Sequence, residues 1–263
     1  MKTTGIVLSG GGARGIAHLG VLAALEELGI RIDAIAGTSS GAIAGALYAA
    51  GNKPHYIKDI LKENSYFGFS RLLFRKGGIF KMEGLRLLLQ QHLTSRRFED
   101  LPVKLFIAAT DLTERKSVIF SEGPLLEPVM ASACVPVIFE PVSFLGRDWV
   151  DGGVLNNFPV EPLKKNCDRL IGSHVNRMED HSASGTMARK MRILEECFHL
   201  AIAAGVYEKA SQCHLFLDPP ELARYDLFDI RQADEIFGIG YRHCMQHRKE
   251  LVAFRNDATH SLV

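Results

Sequence analysis

No apolar run in the sequence approaches the ~18 residues needed to cross a bilayer. The N-terminus passes from Lys2 directly into a short apolar stretch, with no hydrophobic leader segment of useful length. Cysteine is sparse. Cys134, Cys167, Cys197, Cys213 and Cys244 form an odd set without C-x-x-C spacing, which argues against a disulfide framework and for free thiols in a reducing compartment. Charge of either sign is not in excess: 31 Lys and Arg stand against 30 Asp and Glu, interspersed, so there is no electrostatic footprint for nucleic acid. Internal repeats, low-complexity tracts and linker-like stretches are also missing. These absences predict a cytoplasmic protein folded as a single domain over 1–263, able at most to touch a membrane surface peripherally.

What the chain does have is enough apolar residue, 47%, for one substantial core. Residues 5–9 read as a short buried strand, followed by Gly10-Gly11-Gly12-Ala13-Arg14-Gly15. A helix then spans 16–28, with Ile16, Leu19, Leu22 and Leu25 on one face, Glu26 and Glu27 on the wet side, and Gly29 as the stop. A second apolar strand over 32–36 runs into Gly37-Thr38-Ser39-Ser40-Gly41 and a helix of small residues. This βαβα opening points to a parallel sheet with helices on both faces. Further on, strands are expected over 103–110, 117–120, 170–175 and 214–217, and a hairpin over 142–150 around Gly146. Helices are expected over 82–93, 125–133, 187–211 and 230–254. Residues 64–80 break the rhythm with an aromatic and basic composition. A partly buried connecting helix is the simpler reading there, and a lid or lipid-facing patch for transient membrane contact the alternative.

The chemistry begins at Ser39, which alone has glycines at both −2 and +2. A serine between Gly37 and Gly41 at a strand-to-helix turn is the G-x-S-x-G nucleophile elbow, with the positive end of the new helix beside it. Serine attack needs a base for its proton and donors for the oxyanion. Gly10, Gly11, Gly12 and Gly15 let backbone N–H groups turn outward, and Gly11 and Gly12 are the preferred oxyanion donors. Arg14 either anchors this loop through a structural ion pair or holds an anionic head group. Asp151, after Trp149-Val150 and before Gly152-Gly153, sits at an uncrowded strand end. Asp111 and the Asn156-Asn157 pair are expected to brace loops. The later histidines (His174, His181, His199, His214, His243, His247, His260) are better explained as surface or packing residues than as a triad member. Gly10-x-Gly12-x-x-Gly15 after a strand also fits a dinucleotide fingerprint, with Asp33 near the ribose-binding position, so a nicotinamide-dependent oxidoreductase is the competing reading. Asp33 nevertheless precedes its strand instead of ending it. No glycine-lysine-serine/threonine follows the loop, which excludes a P-loop.

Taken together, four blocks resemble the patatin-like phospholipases: 9–15 with 17–22, 37–41, 131–136 with 139–142, and 151–153 with 156–160. They cover about 5–175, and 176–263 is expected to be a helical part packed on the same core. The resemblance implies a three-layer α/β/α sandwich with a mainly parallel sheet, a lipid or acyl-ester substrate and a Ser39–Asp151 dyad in place of a triad. It also implies an oxyanion hole from the glycine loop and neither cofactor nor metal, calcium included. A non-catalytic regulatory member of the same fold is a further alternative.

Overall fold

The computed structural model describes residues 2–63, 82–136, 138–177, 200, 205–226 and 229–256 of the 263. Its strands are β1 (Thr4–Leu8), β2 (Ala34–Thr38), β3 (Lys104–Asp111), β4 (Lys116–Phe120), β5 (Val142–Phe144), β6 (Arg147–Asp151), β7 (Arg169–Ser173) and β8 (Leu215–Leu217). In chain order the helices are α1 (Ile16–Glu27), α2 (Ser40–Ala49), α3 (Pro54–Glu63), α4 (Glu83–His92), α5 (Leu126–Ser132), α6 (Glu161–Lys164), α7 (Val206–Ala210), α8 (Ala233–Gln246) and α9 (Arg248–Asn256). The expected strands and the expected hairpin are all present, shifted by a residue or two at their ends.

The strands form one sheet in the order β5-β6-β3-β2-β1-β7-β8, with β4 also paired to β3. Strands β1, β2, β3, β7 and β8 are parallel, while β4 and β6 run antiparallel to β3. Strand residues alternate between two faces. Ile6, Leu8, Ile35, Leu105, Ile107 and Ile171 join the larger core under α1, α2, α3 and α8. Val7, Ala34, Ala36, Phe106 and Leu170 face the other way, onto Phe158, Val160, Leu163 and Val206 around α6 and α7. Both faces are covered, which is why β1, β2 and β7 are apolar almost throughout instead of alternating with polar residues. The result is the expected α/β/α sandwich with a mainly parallel sheet.

In α1 Glu26 and Glu27 are exposed as expected, but burial extends beyond the one expected face: from Ile16 to Leu25 every residue but Ala23 is buried, because α8 lies across it. The two backbones touch. A Cβ on Gly20 would sit 2.0 Å from the Phe237 carbonyl oxygen, and one on Gly240 would sit 2.0 Å from that of Ala17. The helix expected over 187–211 does not run unbroken through its described part. Gly205 takes a left-handed φ of 81° and α7 starts afresh after it. The closing helix expected over 230–254 opens as a 3-10 turn at Ile230–Gln232 that runs straight into α8, and it breaks before α9 where His247 leaves the helical region with ψ 14°. The stretch 64–80, with its alternative reading as a lid or membrane contact, lies outside the described residues.

Candidate active site

Ser39 closes β2 and opens α2 in a backbone conformation that side chains avoid, φ 53° and ψ −120°. Strain of this kind costs on the order of 1–3 kcal/mol and persists only where the surroundings enforce it. Here they do. The Ser39 N–H donates to Ser132 Oγ on α5 at 2.9 Å, and the Ser39 carbonyl accepts from the first free N–H groups of α2, Ala42 at 3.0 Å and Ile43 at 3.1 Å. The turn is tight enough that both flanking glycines are obligatory. A Cβ on Gly41 would meet the Leu8 carbonyl oxygen at 2.2 Å, and one on Gly37 would meet the Gly41 carbonyl oxygen at 2.6 Å.

Asp151 is delivered to the same place by register. Thr38 stands opposite Ala108 of β3, and Asp151 opposite the next residue, Ala109. The Ser39 side chain lies near enough to the Asp151 carboxyl group to pull its pKa down, and that carboxyl group accepts from Gly153 N–H at 2.7 Å. The Asp151 backbone is pinned on both sides, its N–H donating to Cys134 O at 2.8 Å and its carbonyl accepting from Thr110 Oγ1 at 2.9 Å. Gly152 passes so close to β3 that a Cβ would sit 2.2 Å from the Ala108 carbonyl oxygen. Burial pushes the Asp151 pKa from 3.8 up to about 7, against the downward pull of the Ser39 and Gly153 hydrogen bonds. Desolvation therefore outweighs the two hydrogen bonds.

The glycine loop lies against the elbow. An added Cβ on Gly10 would fall 3.1 Å from Ser39 Cβ, and one on Gly15 would fall 2.3 Å from Ser40 Oγ. Gly12 adopts φ 59°, in the left-handed region that favours glycine. The Gly10 N–H is already taken by Asn157 Oδ1 at 3.0 Å, so the donors to consider for an oxyanion are those of Gly11 and Gly12. Arg14 is buried, 7% exposed.

Beneath the loop, His18 Nε2 meets Ser9 O at 2.9 Å and His18 Nδ1 meets Ser173 Oγ at 2.8 Å. Ser9 Oγ in turn donates to Gly10 O and accepts from Val175 N–H, both at 3.1 Å. Burial drives the His18 pKa down to about 4, offset in part by the bond to Ser9. It is a neutral brace, with Nε2–H donating and Nδ1 accepting.

A family model described as patatin-like phospholipase matches residues 6–164, a span holding the glycine loop, Ser39 and Asp151. The chain belongs to the patatin-like phospholipase family. Among curated relatives, an uncharacterised NTE family protein of Mycobacterium tuberculosis is 35% identical over 181 residues, covering 66% of this chain and 49% of that protein. Lysophospholipase NTE1 of Eremothecium gossypii is 33% identical over 196 residues, 69% of this chain but 12% of that protein. The chain thus spans half the length, or much less, of these patatin-like relatives. A crystal structure of VipD from Legionella pneumophila superposes with a TM-score of 0.55 at 16% identity, covering 95% of this chain and 67% of that one, which shows a shared fold.

The remaining residues singled out from the sequence fall around this patatin-like site. Asp111 is fully buried, accepts from Thr113 and Glu114 N–H at 2.9 Å each, and pairs with Arg147 at 2.6 Å, so it ties the β3–β4 turn to β6. Asn156 holds its loop through Thr38 Oγ1, which donates to its carbonyl, and Lys209, which donates to its side chain. Asp33 accepts from Thr4 N–H at 2.8 Å and pairs with Arg31 at the start of β2, the opposite strand end from Ser39. No described histidine hydrogen-bonds Ser39 or Asp151. His174 pairs with Asp218 at 2.9 Å, His214 accepts from Leu170 N–H, and His243 lies against His247. His181, His199 and His260 lie outside the described residues. Cys134 sits beside Asp151, but burial and that carboxylate push its thiol up to about 12, which makes it inert. The other described cysteines are free as well. Among the described residues no three His, Cys, Asp or Glu side chains group as metal ligands, and no helix is long and apolar enough to cross a membrane. Sequence reasoning missed His18 and Ser132. Their only signal was a buried-looking histidine on an apolar helix and a serine in a family block.

Proposed function

We propose that this chain is a serine lipid acyl hydrolase that cleaves the carboxylic ester bonds of phospholipids, lysophospholipids or related acyl esters through a Ser39–Asp151 dyad. The observation that carries the reading is the juxtaposition itself: a strained, half-buried elbow serine set beside a carboxyl group buried from water. In this reading Ser39 Oγ attacks the acyl carbonyl while Asp151 takes its proton. The oxyanion of the tetrahedral intermediate is held by the Gly11 and Gly12 N–H groups, with the α2 N-terminus adding favourable field. Asp151 then gives the proton to the leaving alcohol, and the acyl-enzyme remains. A water activated by the same carboxylate attacks the acyl carbon, frees the fatty acid and restores Ser39. An ordinary aspartate is a weak base for a serine. A pKa near 7 brings Asp151 much closer to the strength that general-base catalysis at neutral pH needs. The lysophospholipase name of one relative supports a lipid ester as substrate.

The test is a screen of p-nitrophenyl esters of increasing chain length beside phospholipids, with Ser39→Ala as blank and a fluorophosphonate probe as label. Probe labelling at Ser39 and ester hydrolysis lost in both Ser39→Ala and Asp151→Asn are expected. Full hydrolysis by the Asp151→Asn protein, or an equal loss from a single His→Ala change, would replace the dyad.

A further inference from the structure

Asn157 packs against the glycine loop near the nucleophile and uses only one of the two branches of its amide. Its Oδ1 accepts the Gly10 N–H at 3.0 Å. A backbone N–H must face the carbonyl branch of the amide, so this contact also fixes which branch is the amine. That amine, Nδ2, is buried and has no hydrogen-bond partner. The side chain itself is 5% exposed. The Oδ1 edge of the amide borders the nucleophile: the Cβ-sized space above Gly10 has Asn157 Oδ1 at 2.4 Å on one side and Ser39 Cβ at 3.1 Å on another.

Its neighbours in sequence hold it still. The Asn156 carbonyl accepts from Thr38 Oγ1 at 2.9 Å, its side chain accepts from Lys209 Nζ at 2.7 Å, and Phe158 is locked into the core on the far face of the sheet. A rigidly held, buried donor without an acceptor destabilises the resting protein. Catalytic sites keep such groups aimed where negative charge will develop.

We propose that Asn157 is a third donor to the substrate's acyl oxygen, beside the Gly11 and Gly12 N–H groups. Oδ1 is clamped by Gly10 and sets the amide plane, and Nδ2 reaches the oxygen as it becomes an oxyanion. The inference rests on the hydrolase reading above and adds to it a side-chain contribution to the oxyanion site. It also gives the Gly10 N–H a purpose other than oxyanion binding.

The experiment compares wild type, Asn157→Ala and Asn157→Asp for ester turnover and for inhibition by a trifluoromethyl ketone, which forms a tetrahedral alkoxide on an active serine. Asn157→Asp keeps an oxygen for the Gly10 N–H, so it keeps the measurement available where Asn157→Ala does not fold. Loss of one oxyanion donor lowers kcat about a hundredfold to a thousandfold. That loss is expected in kcat with KM nearly unchanged, and the inhibition constant for the ketone should rise in step. Melting temperature should not track the loss. Wild-type turnover in Asn157→Asp, a defect confined to KM, or unchanged ketone affinity would overturn the role of Asn157 while leaving the hydrolase intact. A wild type with no esterase activity, or Ser39→Ala with full activity, overturns both.

Discussion

The hydroxyl of Ser39 stands beside the carboxyl group of Asp151, a residue only 3% exposed to water. Burial raises the Asp151 pKa to about 7, so the base form is depleted in mildly acidic solution. For the hydrolase proposed above, kcat/KM should fall tenfold per pH unit below about 7 and level off above it. An initial-rate pH profile on a neutral ester checks this. A flat profile from pH 5 to 8 would remove Asp151 from the role of base.

Folding stability should carry the same signature with a partner of opposite sign. Folded Asp151 holds its proton between its ordinary 3.8 and about 7 while the unfolded chain does not, so its contribution is lost as pH rises through that window. Folded His18 stays neutral between 6.5 and about 4 while the unfolded chain takes up a proton, so its contribution is lost as pH falls. The full terms are on the order of 4 and 3 kcal/mol, and they oppose each other where the windows overlap. Urea denaturation of Asp151→Asn should show stability climbing from pH 4 to 6.5. His18→Gln should show it declining over the same range. Parallel curves for the two variants would contradict both assignments.

Close helix contact predicts a contrast among glycines in or against the same helix. Gly20→Ala and Gly240→Ala each drive a Cβ into a carbonyl oxygen of the opposing helix, 2.0 Å away, with only backbone to yield. Each should destabilise by about 1–3 kcal/mol or more. Gly238→Ala meets only the flexible end of Arg242, at 2.8 Å, and should be neutral or stabilise by up to about 1 kcal/mol through helix propensity. Chemical denaturation of the three variants decides it.

The β5–β6 turn offers a simple gain. Leu145 has φ 54° beside Gly146 at 69°, and the leucine side chain is 77% exposed. A left-handed leucine costs roughly 1–2 kcal/mol, and hairpin turns of this kind favour asparagine there. Leu145→Asn should raise the melting temperature by a few degrees, measured by differential scanning calorimetry.

Much of the site was legible because it is local. The glycine loop, the elbow and the D-G-G turn are short motifs whose residue types follow from a backbone that must turn sharply beside another backbone. What was not legible depends on partners distant in sequence. The burial of α1 beyond its one expected face depends on α8, and the only sign in the sequence is a glycine in each helix. The bonds of His18 to Ser9 and Ser173, and of Asn157 to Gly10, join segments that no periodicity links. The direction of the Asp151 shift depends on how completely the fold excludes water from one carboxyl group. The splitting of the last helices turns on single residues, Gly205 and His247, that a pattern count passes over.

The family match stops at 164, but the scaffold that steadies the loop does not. Ser173 at the end of β7 donates to His18, Val175 donates to Ser9, and β7 itself closes one flank of β1. A fragment ending at 164 would expose an open sheet edge ready to pair with other chains and would strip the outer side of α1. The smallest part of this chain expected to fold alone therefore reaches at least the end of α8.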